Sequence, residues 1–141
     1  MSGADFLDTN VFVYLVDEAS PAKQAIARQL VRDAHAHHSG VISFQVVQES
    51  LQVMTRKFKV VARRSDAADF LRDVLVPLWQ VMPSPALYEK ALGLQERHEF
   101  SFYDSLIVAA ALEAGCRRLL SEDLQHGQRI EGLRIENPFR K

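Results

Sequence analysis

The sequence predicts an α/β fold, an open and mainly parallel sheet covered by helices, and three observations predict it. Short apolar runs alternate along the chain with segments of helical periodicity, which favours covered sheet over an all-helical bundle. Ser20-Pro21 and Ser84-Pro85 each set a hydroxyl ahead of proline at a first helical position, a helix-start signal. The run Phe6-Leu7 stops at Asp8-Thr9-Asn10-Val11, which reads as a strand giving way to a polar turn and then a helix.

In chain order, the first strand covers Asp5 to Asp8, and a helix follows from Val11. The helix opened by Ser20-Pro21 carries Ala22, Ile26 and Leu30 on one face and runs into Ala34-His35-Ala36-His37-His38. A second strand covers Gly40 to Ser43. Val47, Leu51, Met54 and Phe58 then form a stripe at helical intervals. Ala67, Phe70, Leu71, Val74, Leu75 and Leu78 keep helical spacing, with Pro77 expected to end that helix just before it. A third strand covers Trp79 to Met82, and the helix from Pro85 presents Leu87, Ala91 and Leu94. Ser101-Phe102-Tyr103-Asp104 matches a capping box ahead of Leu106 to Leu112, a stretch apolar on every side and so expected to be buried. Strands from Arg118 to Ser121 and from Leu133 to Glu136 complete the pattern.

With 141 residues, the chain is expected to form one domain over 1–141. Apolar residues make up 48% and charged residues 25%, which excludes disordered and fibrous classes. No run reaches transmembrane length, and Met1-Ser2-Gly3-Ala4-Asp5 lacks the basic-then-apolar order of a secretory signal. The lone Cys116 has no internal disulfide partner and reads as a buried small apolar residue; together these features suit a cytoplasmic protein with no membrane partner. Net charge is -1, so any nucleic-acid contact must be a local basic patch.

Four acidic residues lie where such a fold delivers side chains to one end of its sheet, because open α/β sheets bind ligands beyond the carboxyl ends of their strands. Asp8 ends the first strand, Asp123 follows the fourth, Asp104 stands in the first turn of the most apolar helix, and Glu49 is early in a helix. Each has a plainer reading. Asp8 and Asp104 suit helix caps, Asp123 suits a turn, and Glu49 projects roughly opposite its helix's apolar stripe, so solvent exposure is its default despite Val46 and Val53 on that side. If they converge, their repulsion calls for a cation, and all-oxygen ligands favour Mg2+ or Mn2+ and metal-assisted hydrolysis of a phosphate ester.

Other candidates are weaker. The histidine tract fits the dipole at a helix carboxyl end better than a transition-metal site. Arg56, Lys57, Lys59, Arg63 and Arg64 form the densest basic stretch, read as a solvated helix end and loop, with Arg63 and Arg64 the candidates for phosphate contact. There is no glycine-rich phosphate loop and no serine nucleophile elbow.

Taken together, Phe6-Leu7-Asp8-Thr9-Asn10-Val11, Tyr103-Asp104-Ser105-Leu106-Ile107 with Ala109-Ala110-Ala111, and Leu120-Ser121-Glu122-Asp123-Leu124 resemble a PIN-domain ribonuclease, more narrowly a VapC-type toxin of a bacterial toxin–antitoxin pair. The resemblance runs from Asp8 to Asp123, and Glu49 falls where that family places its second acidic residue. It implies a three-layer α/β/α sandwich with a short, mainly parallel central sheet, Mg2+ or Mn2+ as cofactor, hydrolytic cleavage of RNA, homodimerisation and a cognate antitoxin. It also implies that Asp8, Glu49, Asp104 and Asp123 form the catalytic, metal-binding pocket, Asp8 and Asp104 anchoring the principal ion, with Thr9, Asn10 and Ser121 as polar support. Many relatives carry threonine where this chain has Ser121, and the hydroxyl is retained.

Three other functions compete. A haloacid-dehalogenase-like phosphatase needs a second aspartate two residues after the first, where this chain has Asn10. A receiver-like signalling domain needs an aspartate ending a central strand and a lysine ending a later one; neither Trp79-Gln80-Val81-Met82-Pro83 nor the strand ending at Ser121 supplies them. A non-catalytic PIN-like binding module would retain the fold alone.

Overall fold

The computed structural model describes residues 3–57 and 64–140. A six-stranded sheet lies at the centre, built from β1 (Asp5–Leu7), β2 (Gly40–Ser43), β3 (Trp79–Val81), β4 (Arg118–Leu120), β5 (Arg129–Ile130) and β6 (Leu133–Glu136). Its order is β3-β2-β1-β4-β6-β5, and every neighbouring pair is parallel except β5 with β6. The helices flanking it are α1 (Thr9–Val16), α2 (Pro21–His37), α3 (Phe44–Lys57), α4 (Arg64–Phe70), α5 (Pro85–Arg97) and α6 (Phe102–Glu113).

Strand length and burial follow from position in the sheet. All four residues of β2 are buried, as befits a strand with neighbours on both sides and helices over its faces. Gly40 opens it because α2 passes too close for a side chain: a Cβ there would lie 2.6 Å from the Ala34 methyl carbon. In α6, Ser105 through Ala111 are all buried, which agrees with a helix apolar all round. The buried face of α5 is Leu87, Ala91 and Leu94, as the periodicity predicts.

Some details differ from expectation. The buried face of α2 is Ala27, Val31 and Ala34, with Ile26 and Leu30 flanking it and Ala22 exposed, a rotation set by the sheet it meets. The Ser20 hydroxyl makes no capping bond, whereas that of Ser84 accepts from the Leu87 amide at 3.1 Å. Pro77 does not end a uniform helix: α4 passes into a π-helical turn over Leu71–Leu75 and then a 3-10 turn over Val76–Leu78. The short β5 is a strand that sequence reading missed. His38 closes α2 in the left-handed conformation (φ 50°), and the His35 ring Nε2 lies 3.0 Å from the Val74 carbonyl, so the histidine tract serves a helix end.

Arg118 ties three strands together. Its guanidinium donates to both oxygens of Asp5 at 2.9 and 2.6 Å and to Glu136 at 2.8 Å. At the opposite ends of these strands the ladder runs on past the last residues: the Asp8 amide donates to the Leu120 carbonyl at 3.0 Å and the Ser121 amide to the Glu136 carbonyl at 2.9 Å. Asp8 and Ser121 therefore leave the sheet side by side.

Candidate active site

Asp8 stands at the carboxyl end of β1 and caps α1, its Oδ1 accepting from the Thr9 amide at 2.7 Å. Its other oxygen accepts from the Ser121 hydroxyl at 2.8 Å. The residue is 7% exposed. Burial pushes its carboxyl up to about 6; the two hydrogen bonds oppose that shift, and the nearby Asp123 and Glu49 charges add to it. The capping role and the site position expected from sequence are thus occupied by one side chain.

Glu49 is half-buried rather than solvent-exposed. The Thr9 hydroxyl donates to it at 2.6 Å and the Gln45 amide at 3.3 Å. Helical period alone puts Glu49 opposite the apolar stripe, but α3 packs on α1, so that side faces Thr9 instead of water. Gln45, which sequence reading passed over, also donates to the Tyr103 carbonyl at 3.2 Å and so links α3 to the start of α6. Its sequence signal was its place four residues before Glu49, the spacing at which helix side chains meet.

Asp104 lies in the first turn of α6, where the Ser101 hydroxyl accepts from its amide at 3.1 Å. The cap is supplied by Ser101, and the Asp104 carboxylate lines a hollow of about 400 Å3 shared with Asp123, His98, Phe100 and Gln128. Asp123 sits in the loop after β4, its amide donating to the Ser121 hydroxyl at 3.2 Å and its carboxylate accepting from the Asn10 amide at 3.3 Å. Partial desolvation raises the Asp123 carboxyl above its ordinary value, and Asp104, Glu122 and Glu49 raise it further, against the Asn10 hydrogen bond. Its neighbour Glu122 points elsewhere, to the Tyr14 hydroxyl and Lys23 ammonium, each at 2.6 Å. Burial alone would raise Glu122; those two donors bring it below its usual value. The Glu122 contacts anchor the loop that carries Asp123.

The structure thus brings Asp8, Glu49, Asp104 and Asp123 to one end of the sheet, with Thr9, Asn10 and Ser121 hydrogen-bonded among them. Among the described residues no three His, Cys, Asp or Glu side chains are arranged to hold a metal ion. The donor chemistry nonetheless fits Mg2+ or Mn2+: every donor is a hard oxygen, burial first and neighbouring carboxylates second raise two of the carboxyls, and Mg2+ needs only one or two carboxylates beside water and substrate oxygens. Cys116 is buried, and burial pushes its thiol up to about 12, which suits a core residue and not a nucleophile. Arg56 is exposed, while Arg63 and the side chain of Arg64 lie outside the described residues. No described helix is long and apolar enough to cross a membrane.

No curated protein sequence gives a significant match to this chain. Solved structures do. The VapC20 toxin of Mycobacterium tuberculosis, described as cleaving the sarcin-ricin loop, is similar over 85% of this chain and 92% of its own, with 21% identity and a TM-score of 0.61. A toxin–antitoxin complex from Klebsiella pneumoniae matches over 96% and 98% with 14% identity and a TM-score of 0.68. FitAcB from Neisseria gonorrhoeae matches over 97% and 99% with 16% identity and a TM-score of 0.61. At these identities the likeness concerns the fold. The PIN domain family model matches residues 6–129, which runs from within β1 through β4 and takes in all four acidic residues, and the chain belongs to the PIN domain family.

Proposed function

We propose that this protein is a metal-dependent ribonuclease that hydrolyses RNA phosphodiester bonds, the toxin of a type II toxin–antitoxin pair. The observation that carries the reading is the placement of four carboxylates from β1, α3, α6 and the loop after β4 around one polar cluster, two of them with raised carboxyls. Family membership supports it and leaves the phosphatase and receiver readings without a basis. Toxin and toxin–antitoxin structures among the structural relatives support the toxin role and an antitoxin partner; a cytoplasmic setting belongs to the same reading. Self-association as a homodimer belongs to the same reading.

Asp8 and Asp104 would hold the principal ion, with Glu49 and Asp123 completing the pocket directly or through water. When bound, Mg2+ or Mn2+ supplies Lewis-acid activation of water and charge compensation at the phosphate. The rest is done by the chain. Ser121 and the Thr9 amide fix both oxygens of Asp8, Thr9 and Gln45 orient Glu49, and Asn10 holds Asp123. These contacts pre-organise carboxylates that would otherwise move apart, so less ordering is needed when the substrate arrives.

The test is incubation of purified protein with mixed RNA, with and without Mg2+ or Mn2+, beside Asp8→Asn. Cleavage should need the added ion and be lost in the variant. Undiminished cleavage in EDTA would remove the metal from the reaction, and no cleavage under any condition would leave a non-catalytic binding module.

A further inference from the structure

A second charged surface lies toward the amino-terminal ends of β4 and β6, away from the acidic pocket. Register sets Arg118 opposite Arg134 and Arg134 opposite Arg129, so three arginines form one row across β4, β6 and β5 on the same face of the sheet. Arg117 precedes the row. Together these four line a hollow of about 320 Å3 with Gly132 and Glu136.

Like charges directly opposite one another destabilise a sheet, and this row is only partly compensated. Arg118 is taken up by Asp5 and Glu136. Arg134 shares Glu136 at 3.2 Å with nearly half its side chain exposed. Arg117 and Arg129 are exposed and form no ion pair among the described residues. Four guanidinium groups therefore face two carboxylates.

We propose that this row binds the phosphates of the RNA backbone and anchors the substrate apart from the acidic pocket, an inference that rests on the ribonuclease reading. Guanidinium forks match phosphate oxygens in geometry as well as charge. Adjacent strands lie ~4.8 Å apart, so the row spans roughly 10 Å, a length suited to consecutive phosphates more than to one small anion. The chain needs such a surface: its net charge is -1 and its acidic pocket repels RNA, so phosphate affinity has to come from a local basic patch.

The test measures binding of an end-labelled, single-stranded RNA to the full chain in EDTA over a range of salt concentrations. The double variant Arg129→Gln/Arg134→Gln should lose affinity on the order of tenfold, and its salt slope should fall by about 1.4, two single-strand phosphate contacts. Arg72→Gln/Arg97→Gln removes the same charge from exposed positions off the row and should keep the wild-type curve. If the two double variants behave alike, the row is not a phosphate site. Arg117→Gln, outside the strands, should lower the slope by about 0.7 and decides the matter if the double variant melts early. Row-dependent binding of polyglutamate with unchanged RNA binding would reassign the surface to an acidic protein partner and overturn the proposal. Cleavage with added metal is measured separately: cleavage with row-independent binding overturns the anchoring surface alone, whereas row-dependent binding without cleavage overturns the ribonuclease reading alone.

Discussion

The Ser121 hydroxyl donates to Asp8 Oδ2 at 2.8 Å across the β1–β4 pair and accepts from the Asp123 amide at 3.2 Å. One hydroxyl thus ties the Asp8 carboxylate to the backbone that carries Asp123. Ser121→Ala should cost about 1.5–3 kcal/mol at neutral pH, the range for a hydrogen bond to a charged group, measured by urea unfolding. Ser121→Thr keeps the donor and should cost less than Ser121→Ala, the added methyl having to fit at a residue 1% exposed. Equal losses in both variants would show that packing, and not the hydroxyl, matters at this position.

Asp8 makes stability depend on pH in a defined direction. Its folded carboxyl titrates near 6 against an ordinary value of 3.8, so the folded state holds the proton more tightly and stability falls as pH rises from about 4 to 6. Asp8→Asn lacks that titration. In EDTA it should match the wild type below about pH 4 and be more stable above about pH 6, by roughly 3 kcal/mol at most. A stability difference that does not change between those limits would contradict the raised carboxyl.

Metal should raise the melting temperature of the wild type, because an ion that binds only the folded state relieves the repulsion among the carboxylates. Asp104→Asn should lose most of that rise and melt no lower than the wild type in EDTA, since Ser101 supplies the helix cap. An intact metal-induced rise in Asp104→Asn would remove Asp104 from the metal site.

Tyr14 acts on the site at one remove. Tyr14→Phe deletes the 2.6 Å hydrogen bond to the Glu122 carboxylate and should cost about 1.5–3 kcal/mol. By loosening the loop of Asp123 it should also weaken metal binding, read as a higher metal concentration at half-maximal melting shift. Stability loss with unchanged metal affinity would confine Tyr14 to a structural role.

Gly40→Ala tests the packing of β2 on α2. The added carbon would meet Ala34 at 2.6 Å, so a loss of about 1–3 kcal/mol is expected, with partial recovery in Gly40→Ala/Ala34→Gly. Recovery is only partial because glycine inside a helix itself costs about 1 kcal/mol.

The sequence by itself determined the element plan. Proline and capping positions marked the starts of α2, α5 and α6, and apolar runs located β1, β2, β3, β4 and β6 to within a residue, because helix and strand periods and chain-breaking residues are local properties. It also supplied Asp8, Glu49, Asp104 and Asp123 as candidates through their places at strand and helix ends. Only the tertiary structure decided which side chains meet. The two-residue β5 exists through its antiparallel pairing with β6 beyond the positive-φ turn at Gly132, and no local pattern of two residues could announce it. Glu49 left its solvent-facing role because α1 packs on that side of α3, bringing the Thr9 hydroxyl to 2.6 Å. The arginine row had no sequence signature, since Arg118, Arg129 and Arg134 become neighbours through strand register alone. Period tells which face a residue shares with its own element; pairing and packing between distant segments set what that face touches.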